Sequence, residues 1–164
     1  MDGGAVAFMG GKGDGKSAVA AAFHARGHGV VADDIVALDV GDAAKPMVLP
    51  GFPQLKLWPE VAAQLGNAPD ALPRLDPVLD KRAFPVTPGF PRIPLSLRCV
   101  YVLDQGTQPG LETLRPQAAF SELMSHSYAL RFLGTAGVTA SHFAKCARLA
   151  SSVPVRRLRR PLSL

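Results

Sequence analysis

Eight residues near the start of the chain, GGKGDGKS, have the types and the spacing that bind phosphate groups. They fit the pattern G-x-x-x-x-G-K-[S/T], which ends here in Lys16 and Ser17. Glycines let backbone N–H groups turn towards phosphate oxygens, and a helix that begins at the lysine adds its positive end. In this pattern the lysine reaches the terminal phosphates and the serine hydroxyl binds Mg²⁺. The predicted phosphate ligands are Gly10, Gly11, Lys12, Gly13, Asp14, Gly15, Lys16 and Ser17.

Two adjacent carboxylates, Asp33 and Asp34, follow this loop closely in sequence. Carboxylates repel phosphates unless a metal ion lies between them or a proton has to be accepted there. Mg²⁺ makes the contact attractive, and the second aspartate can take the proton of an attacking hydroxyl. The pair therefore predicts metal-dependent phosphoryl chemistry, although a hydrolase acting on water would use the same arrangement as a kinase. An Asx turn between strands is the alternative interpretation.

The elements around the loop are those that such a site requires. AVAFM (Ala5–Met9) predicts a buried strand before the loop, and KSAVAAAFHAR predicts a helix that Gly27 ends. VVADDIVALDV has β-branched residues on both sides of the acidic pair. We therefore expect the two aspartates to lie at or between short strands.

The middle of the chain is rich in proline. Eleven of the 15 prolines lie between Pro46 and Pro94, which predicts turns, edge strands and short helices. PEVAAQLG predicts one short helix, with Pro59 in its first turn and Gly66 at its end. DALPRLDPVLDKR is expected to form an exposed loop that is long enough to act as a lid over a site.

The last third of the chain regains regular periodicity. LSLRCVYVLDQ predicts a strand, a helix is expected from Pro116 to Gly134, and TASHFAKCARLASS and VPVRRL predict a second helix and a final strand. Together these elements predict an α/β fold in which a mixed sheet carries the phosphate loop. We find no internal repeat and expect residues 1–164 to form a single domain.

Composition limits the class of protein. Hydrophobic residues make up 48% of the chain and charged residues 19%, which is typical of a globular protein. The sequence contains no apolar run long enough to span a bilayer and no N-terminal export signal. Cys99 and Cys146 are expected to be buried free thiols. These features favour a cytoplasmic protein without a membrane partner.

The formal net charge of +5 comes largely from RRLRR (Arg156 to Arg160). No aromatic residues interleave with these arginines, which favours a solvated edge strand or tail over a nucleic-acid interface.

Five further residues are weaker candidates for a functional role. Trp58 and Phe52 are expected to pack in the core rather than to stack on adenine, and Glu60 to be a first-turn helix charge rather than a metal ligand. His126 and His142 are expected on different helices, with no acidic partner at a ligand-like spacing.

The segment GKGDGKSAVAAAFHARGHGVVADDIVALD (Gly11–Asp39) resembles the nucleotide-binding core of the HPr kinase/phosphorylase family. That family has a phosphate loop, a helix ending in RGH and then a strand carrying ADD. PGFPQLKLWPE and LDKR are further similar to a divergent branch of HPr-kinase-like proteins, which includes kinases that tailor lasso peptides.

The resemblance implies a phosphotransferase that uses ATP and Mg²⁺ and has a serine hydroxyl as its acceptor. Asp33 matches the family's acid–base aspartate, and Asp34 matches its metal-associated aspartate, which acts with Ser17. Arg82, with Lys81 beside it, lies where the family places a cation near the transferred phosphate. The implied catalytic residues are Lys16, Asp33 and Arg82.

The chain departs from the family at three points: the separate N-terminal domain, the upstream histidine and the EIRG-type signature are all missing. The resemblance therefore implies neither phosphorylase activity nor HPr as the substrate. We expect a domain like the C-terminal domain of HPr kinase, without an N-terminal regulatory domain. Relatives in this family form closed assemblies, so a homo-oligomer is compatible with the resemblance.

Three hypotheses follow. The leading one is a kinase that phosphorylates a serine of a peptide or protein, including a lasso-peptide precursor. The alternative is an ATP-binding regulatory domain without catalysis. The third is an anion-binding module centred on Arg156 to Arg160, for which nucleic acid is not the favoured partner.

Overall fold

A mixed six-stranded sheet forms the centre of the fold in the computed structural model, which describes residues 3–42, 44–128 and 138–161. In chain order the strands are Gly4–Met9 (β1), Leu38–Asp39 (β2), Met47–Val48 (β3), Gln54–Leu57 (β4), Arg82–Pro85 (β5), Leu95–Gln105 (β6), Gly110–Thr113 (β7) and Val155–Arg160 (β8). The helices are Lys16–His24 (α1), Pro59–Gln64 (α2), Pro116–Ser125 (α3) and Val138–Ser152 (α4). β4 and β5 form a separate antiparallel pair. The expected α/β class and mixed sheet are confirmed.

The long strand β6 organises the main sheet. β1 and β8 both run parallel to it, with Met9 opposite Val102 and Arg160 opposite Gln105. β3 and β7 add antiparallel pairs to β6 and β8 respectively. The carboxyl ends of β1, β6 and β8 therefore lie at one edge of the sheet, which is where ligands bind in open α/β folds. Residues 10–17, which we call the glycine loop, follow β1 at this edge.

Two apolar clusters hold the elements around the site. In the first, α3 and α4 cover the sheet, and the buried residues include Val100, Val102, Leu123, Leu149 and Val155. In the second, α1 and β4 pack together through buried side chains that include Ala21, Leu55 and Leu57. Because side chains alternate along a strand, burying Leu55 and Leu57 turns Lys56 to the opposite face of β4.

Most of the expected elements occur where the sequence predicts them. β1, α1, α2, β6 and β8 match their predicted segments, and Gly27 and Gly66 have the positive φ of helix-ending glycines, 87° and 79°. Cys99 and Cys146 are free and buried, as expected. The predicted helix from Pro116 ends at Ser125, and its expected stop at Gly134 lies outside the described residues.

The prediction of an edge strand or tail for the arginine-rich segment is wrong. β8 lies between β6 and β7 in the sheet. Its neighbours supply the carboxylates that neutralise it: Arg157 pairs with Glu122 at 2.8 Å and lies 3.7 Å from Glu112, and Arg159 lies 3.6 Å from Asp104. Two of the four arginines, Arg157 and Arg159, are therefore matched by acidic residues that are distant in sequence.

The segment before the acidic pair also differs from the prediction, because residues 28–37 contain no strand. The Val31 carbonyl accepts a single backbone hydrogen bond, from Gly51 at 2.8 Å, and Val30 is buried in the second cluster. Val30 and Val31 are used for packing rather than for strand pairing, whereas Ile35 and Val36 are exposed. The two aspartates consequently lie in a bend that leads to the short strand β2.

The proline-rich loop 70–82 is largely exposed, as expected, but its end is fixed. Arg82 begins β5 and pairs with Asp80 at 3.0 Å, while Arg74 pairs with the same carboxylate at 3.1 Å. A short 3₁₀ turn, Pro69–Ala71, begins the loop.

Candidate functional site

The glycine loop turns through backbone conformations that favour glycine. Gly13 and Gly15 have φ angles of 96° and 80°, in the left-handed region that side-chain-bearing residues rarely adopt. Gly15 caps α1, and its carbonyl accepts the N–H of Val19 at 2.9 Å. The N-terminus of a nine-residue helix therefore begins directly at the loop, and its free N–H groups favour an anion.

Lys16 lies back across the loop that precedes it. Its Nζ donates to the carbonyl oxygens of Gly11 at 2.7 Å and Gly10 at 3.1 Å. The Asp14 carboxylate accepts the Gly11 N–H at 2.5 Å, which closes the loop further. The ammonium group thus stays close to the loop, where phosphate oxygens would be stronger acceptors than neutral carbonyls.

Ser17 and Asp33 are joined by a direct hydrogen bond. Ser17 Oγ donates to Asp33 Oδ1 at 2.9 Å, and the backbone N–H of Lys56 donates to Asp33 Oδ2 at 2.7 Å. Both oxygens of Asp33 are therefore held, one by the first turn of α1 and one by β4. The structure brings the two halves of the predicted site together at this carboxylate.

The Asp34 carboxylate contacts the Lys56 side chain rather than Ser17, because the chain turns sharply at Asp34. Its φ of 62° is in the left-handed region, so the two adjacent carboxylates need not alternate as they would on a strand. Asp34 Oδ2 lies 2.5 Å from Lys56 Nζ, and both side chains are 43% exposed. The hydrogen bond to Asp34 raises the pKa of Lys56, and the charge of Asp33 adds to this effect. Solvent screening keeps the stabilisation from such an exposed pair small.

Lys56 was not predicted as a site residue. The contact with Asp34 joins positions far apart in the sequence, and the pattern of β4 offers only one indication. Leu55 and Leu57 are apolar, so the lysine between them must face the other side of the strand. That alternation predicts the direction of the side chain but not the carboxylate that it meets.

A large cavity of about 1160 Å³ opens beside the glycine loop. Its walls come from the loop, residues 34–40, β4 with α2, and the facing ends of α3 and α4. A smaller cavity of about 280 Å³ lies between β1, α1 and residues 28–34 and includes Asp33. Lys16 and Asp34 line both cavities, so the predicted phosphate and metal residues stand where the two meet.

Arg82 is not brought together with the other predicted site residues. Its side chain is only 13% exposed, and its guanidinium lies 3.0 Å from Asp80 and 3.7 Å from Asp70. Lys81, the neighbouring residue, lines the large cavity instead, with its Nζ 5.7 Å from the centre of the Trp58 ring.

Arg160 is a second residue that sequence reasoning missed. It lines the large cavity and its guanidinium donates to the backbone carbonyl of Asp14 at 2.9 Å. A Cβ atom built at Gly15 would lie 2.2 Å from this guanidinium, so a side chain there would displace the arginine from its contact with the loop. The last residue of β8 therefore supports the glycine loop from the side of the sheet.

Two predictions about nearby side chains are wrong. Trp58 and Phe52 are not core residues: they are 42% and 71% exposed, because β4 buries Leu55 and Leu57 instead. His126 does have an acidic neighbour, since its Nε2 lies 3.5 Å from Glu122 one helical turn earlier. Glu60 lies in the first turn of α2, as expected.

The oxygen atoms at the acidic pair suit a magnesium ion. Ser17, Asp33 and Asp34 offer one hydroxyl and two carboxylates, which are hard donors of the kind that Mg²⁺ prefers. The Lys56 ammonium already lies against Asp34, so this carboxylate accommodates a positive charge. Within the described ranges, no three His, Cys, Asp or Glu side chains cluster as a metal-holding group. Mg²⁺ at nucleotide sites commonly takes its other ligands from phosphates and water.

No family model, curated protein or solved structure matches the chain. Among the described residues, no helix has both the length and the apolar composition needed to cross a membrane.

Proposed function

We propose that the protein is an ATP- and Mg²⁺-dependent kinase that transfers a phosphoryl group to a serine hydroxyl of a peptide or protein. Its nucleotide site would be a P-loop of the HPr-kinase type, acting in the cytoplasm. The observation that carries the proposal is the hydrogen bond from Ser17 Oγ to Asp33 Oδ1 at 2.9 Å. It joins the end of the glycine loop to the acidic pair, so phosphate-binding and proton-accepting groups meet at one point.

The glycine loop and Lys16 would bind the phosphates of the nucleotide. Lys16 now donates to two neutral carbonyls of the loop, at 2.7 and 3.1 Å. A charged phosphate oxygen is a better acceptor, so the ammonium is expected to exchange its partners when the nucleotide binds. Arg160, through its contact with the Asp14 carbonyl, would hold the loop in its binding conformation.

Asp33 would act as the general base. In the transfer step the acceptor oxygen forms a bond to the γ-phosphorus, the bond from that phosphorus to the β–γ bridging oxygen breaks, and the hydroxyl proton passes to Asp33. A base must lie within hydrogen-bond reach of the hydroxyl that it deprotonates. Asp33 already accepts a hydrogen bond from a serine hydroxyl, that of Ser17, which supports this role.

Asp34, with the Ser17 hydroxyl, would form the metal side of the site. These two residues would hold Mg²⁺, which would supply positive charge against the negative phosphates. Asp34 is free to exchange its cation, because the pair with Lys56 is half exposed. An exchanged assignment, with Asp33 beside the metal through Ser17 and Asp34 as the base, uses the same contacts. The two assignments differ in their Mg²⁺ dependence.

The proposal gives Arg82 no chemical role, although the family resemblance implies one. Its guanidinium is held by Asp80, and moving it to a phosphate would leave that carboxylate without this partner. Lys81 is the cation that this loop presents to the cavity.

The alternative is an ATP-binding regulatory domain without catalysis. The observation that favours it is that protein groups already occupy the acidic pair: Ser17 and the Lys56 N–H bind Asp33, and the Lys56 ammonium binds Asp34. A site that only senses nucleotide would tolerate these contacts, whereas a kinase has to rearrange them.

Incubation with γ-labelled ATP, Mg²⁺ and synthetic serine peptides tests the proposal, a lasso-peptide precursor among the peptides. The expected result is ADP together with phosphoserine on a peptide, and loss of both with Lys16→Ala. Tight binding of ATP–Mg²⁺ with no ADP or phosphoserine from any peptide would favour the regulatory domain. Absence of nucleotide binding would exclude both.

A further inference from the structure

The large cavity carries an excess of positive charge. Among the described residues that line it, Asp34 is the only carboxylate, against six Lys and Arg side chains. These cations are Lys12, Lys16, Lys56, Lys81, Lys145 and Arg160. A net charge of this sign in a concave site attracts and concentrates anions.

Four of these cations either belong to the proposed nucleotide site or contact a residue of it. Lys12 and Lys16 belong to the glycine loop, Arg160 binds the Asp14 carbonyl of that loop, and Lys56 binds Asp34. They lie where the phosphates and the metal are expected.

Among the described residues, Lys81 and Lys145 have no such contact with the proposed nucleotide site. They come from the loop 70–82 and from α4, and no carboxylate in the described part of the chain pairs with either. Lys81 has only the face of Trp58 beside it, 5.7 Å from its Nζ.

One face of α4 forms a wall of the cavity. His142, Lys145, Cys146 and Leu149 are spaced three and four residues apart, which places them on one face of the helix, and all four line the cavity. Apolar side chains from three elements also line the cavity. These are Leu57, Leu123 and Leu149. Apolar walls lower the local dielectric and strengthen an ammonium–carboxylate contact beside them.

The cavity measures about 1160 Å³, slightly above the roughly 300–1,000 Å³ of a pocket for one small ligand. Lys81 and Lys145 line it from elements other than the glycine loop, which would hold the phosphates.

Building on the proposed kinase function, we propose that Lys81 and Lys145 bind a carboxylate of the acceptor peptide, so that the enzyme selects serines with a carboxylate close by. The carboxylate comes from an Asp or Glu side chain next to the serine or from the C-terminus of the peptide. Both ammonium groups line one cavity and have no carboxylate partner among the described residues, so an anionic group of the acceptor is attracted there. The contact would hold the acceptor serine in the large cavity, whose wall includes Asp34, the neighbour of Asp33.

Four forms of one short serine peptide test this inference. The residue next to the serine is Asp or Asn, and each peptide is made as the free acid and as the C-terminal amide. Binding in the presence of saturating ADP–Mg²⁺ is measured by calorimetry and by the fluorescence of Trp58, the sole tryptophan, which lines the cavity. KM and kcat are measured separately with ATP.

We expect at least one carboxylate-bearing peptide to bind about tenfold or more tightly than the Asn amide, the typical effect of a hydrogen bond to a charged group. The comparison of Asp with Asn and of acid with amide identifies which carboxylate is bound. Lys145→Gln and Lys81→Gln should each remove most of the difference and act on KM more than on kcat. Lys45→Gln, an exposed lysine before β3, is the matched control and should retain it.

Equal binding of all four peptides, or a preference that survives in both lysine variants, overturns the inference. So does displacement of the peptide by the nucleotide, because the carboxylate would then occupy the phosphate site. Failure of the kinase proposal looks different: the peptides would show the lysine-dependent preference in binding, but none would be phosphorylated. Phosphorylation without any preference would retain the kinase and remove the carboxylate site.

Discussion

The Lys56 ammonium and the Asp34 carboxylate lie 2.5 Å apart in the wall of the large cavity, where we propose that a metal ion binds. Asp34 therefore has a cation of the protein itself before any Mg²⁺ binds. Since the hydrogen bond to Asp34 raises the pKa of Lys56 above its ordinary 10.5, the lysine stays charged through the neutral range. The stabilisation from this contact is fully present below the ordinary lysine pKa of 10.5 and is lost as the pH rises through the raised pKa of Lys56.

Replacing Lys56 by methionine removes this competitor and keeps most of the aliphatic stem. We expect the Mg²⁺ concentration needed for half-maximal nucleotide binding to fall by up to about fivefold, which corresponds to an exposed ion pair of about 1 kcal/mol. Calorimetry with ATP across a Mg²⁺ series measures the effect, with Lys56→Arg as the charge-preserving control. A higher Mg²⁺ requirement in Lys56→Met would instead mean that the lysine itself binds phosphate.

Lys16→Ala tests the nucleotide site. The variant removes the ammonium that lies across the glycine loop and should weaken ATP–Mg²⁺ binding by about 2–5 kcal/mol, as expected for a lost charged contact in a desolvated site. Lys45→Ala removes an exposed lysine elsewhere and serves as the control for net charge. Unchanged affinity in Lys16→Ala would contradict a phosphate-binding role for the loop.

Arg82→Met separates the structural role of this arginine from the catalytic role that the resemblance implies. Its side chain is 13% exposed and holds Asp80, so we expect the free energy of unfolding to fall by about 1–3 kcal/mol. Urea denaturation measures this, and nucleotide affinity and single-turnover transfer are measured well below the transition. Normal stability with a large loss of turnover would support the catalytic assignment.

Arg157→Met tests the interior position of β8. Arg157 pairs with Glu122 at 2.8 Å and also approaches Asp104 and Glu112, so its loss removes one cation from three carboxylates, of which Asp104 still lies near Arg159. Because the arginine is 29% exposed, we expect a moderate destabilisation of about 1–2 kcal/mol. Arg148→Met, on an exposed position of α4, is the matched control and should change the free energy of unfolding little. Equal effects of the two variants would contradict the network.

The sequence predicts those parts of the fold that depend on local pattern. The strand β1, the glycine loop and α1 follow one another within residues 4–24, and each has its own signal in apolar residues, glycine spacing and helix propensity. The short helix α2 is similarly marked by Pro59 and Gly66. The sequence alone therefore identifies the glycine loop and the acidic pair as candidate site residues.

What the sequence does not predict depends on contacts between distant segments. The place of β8 inside the sheet is decided by β6 and β7, whose carboxylates make a row of arginines tolerable there. Lys56 reaches Asp34 because β4 packs on α1, and Arg160 reaches Asp14 across 146 positions of sequence. No local pattern encodes such pairings. The strand expected around Val30 is missing for the same reason, since a second core rather than a neighbouring strand takes up its side chain.

The division of labour between Asp33 and Asp34 is the central claim, and one measurement tests it most directly: nucleotide affinity and single-turnover phosphoryl transfer for Asp33→Asn and Asp34→Asn across a Mg²⁺ series. Asparagine keeps the shape of aspartate, and the Ser17 hydroxyl can turn to accept the new N–H, so the local fold should persist. We predict that Asp33→Asn binds ATP–Mg²⁺ normally but transfers the phosphoryl group about 10²–10⁴-fold more slowly, the usual contribution of a general base. Asp34→Asn should bind more weakly and recover in part at high Mg²⁺. Full activity of Asp33→Asn would contradict the account, and Mg²⁺ rescue of Asp33→Asn rather than Asp34→Asn would exchange the two roles.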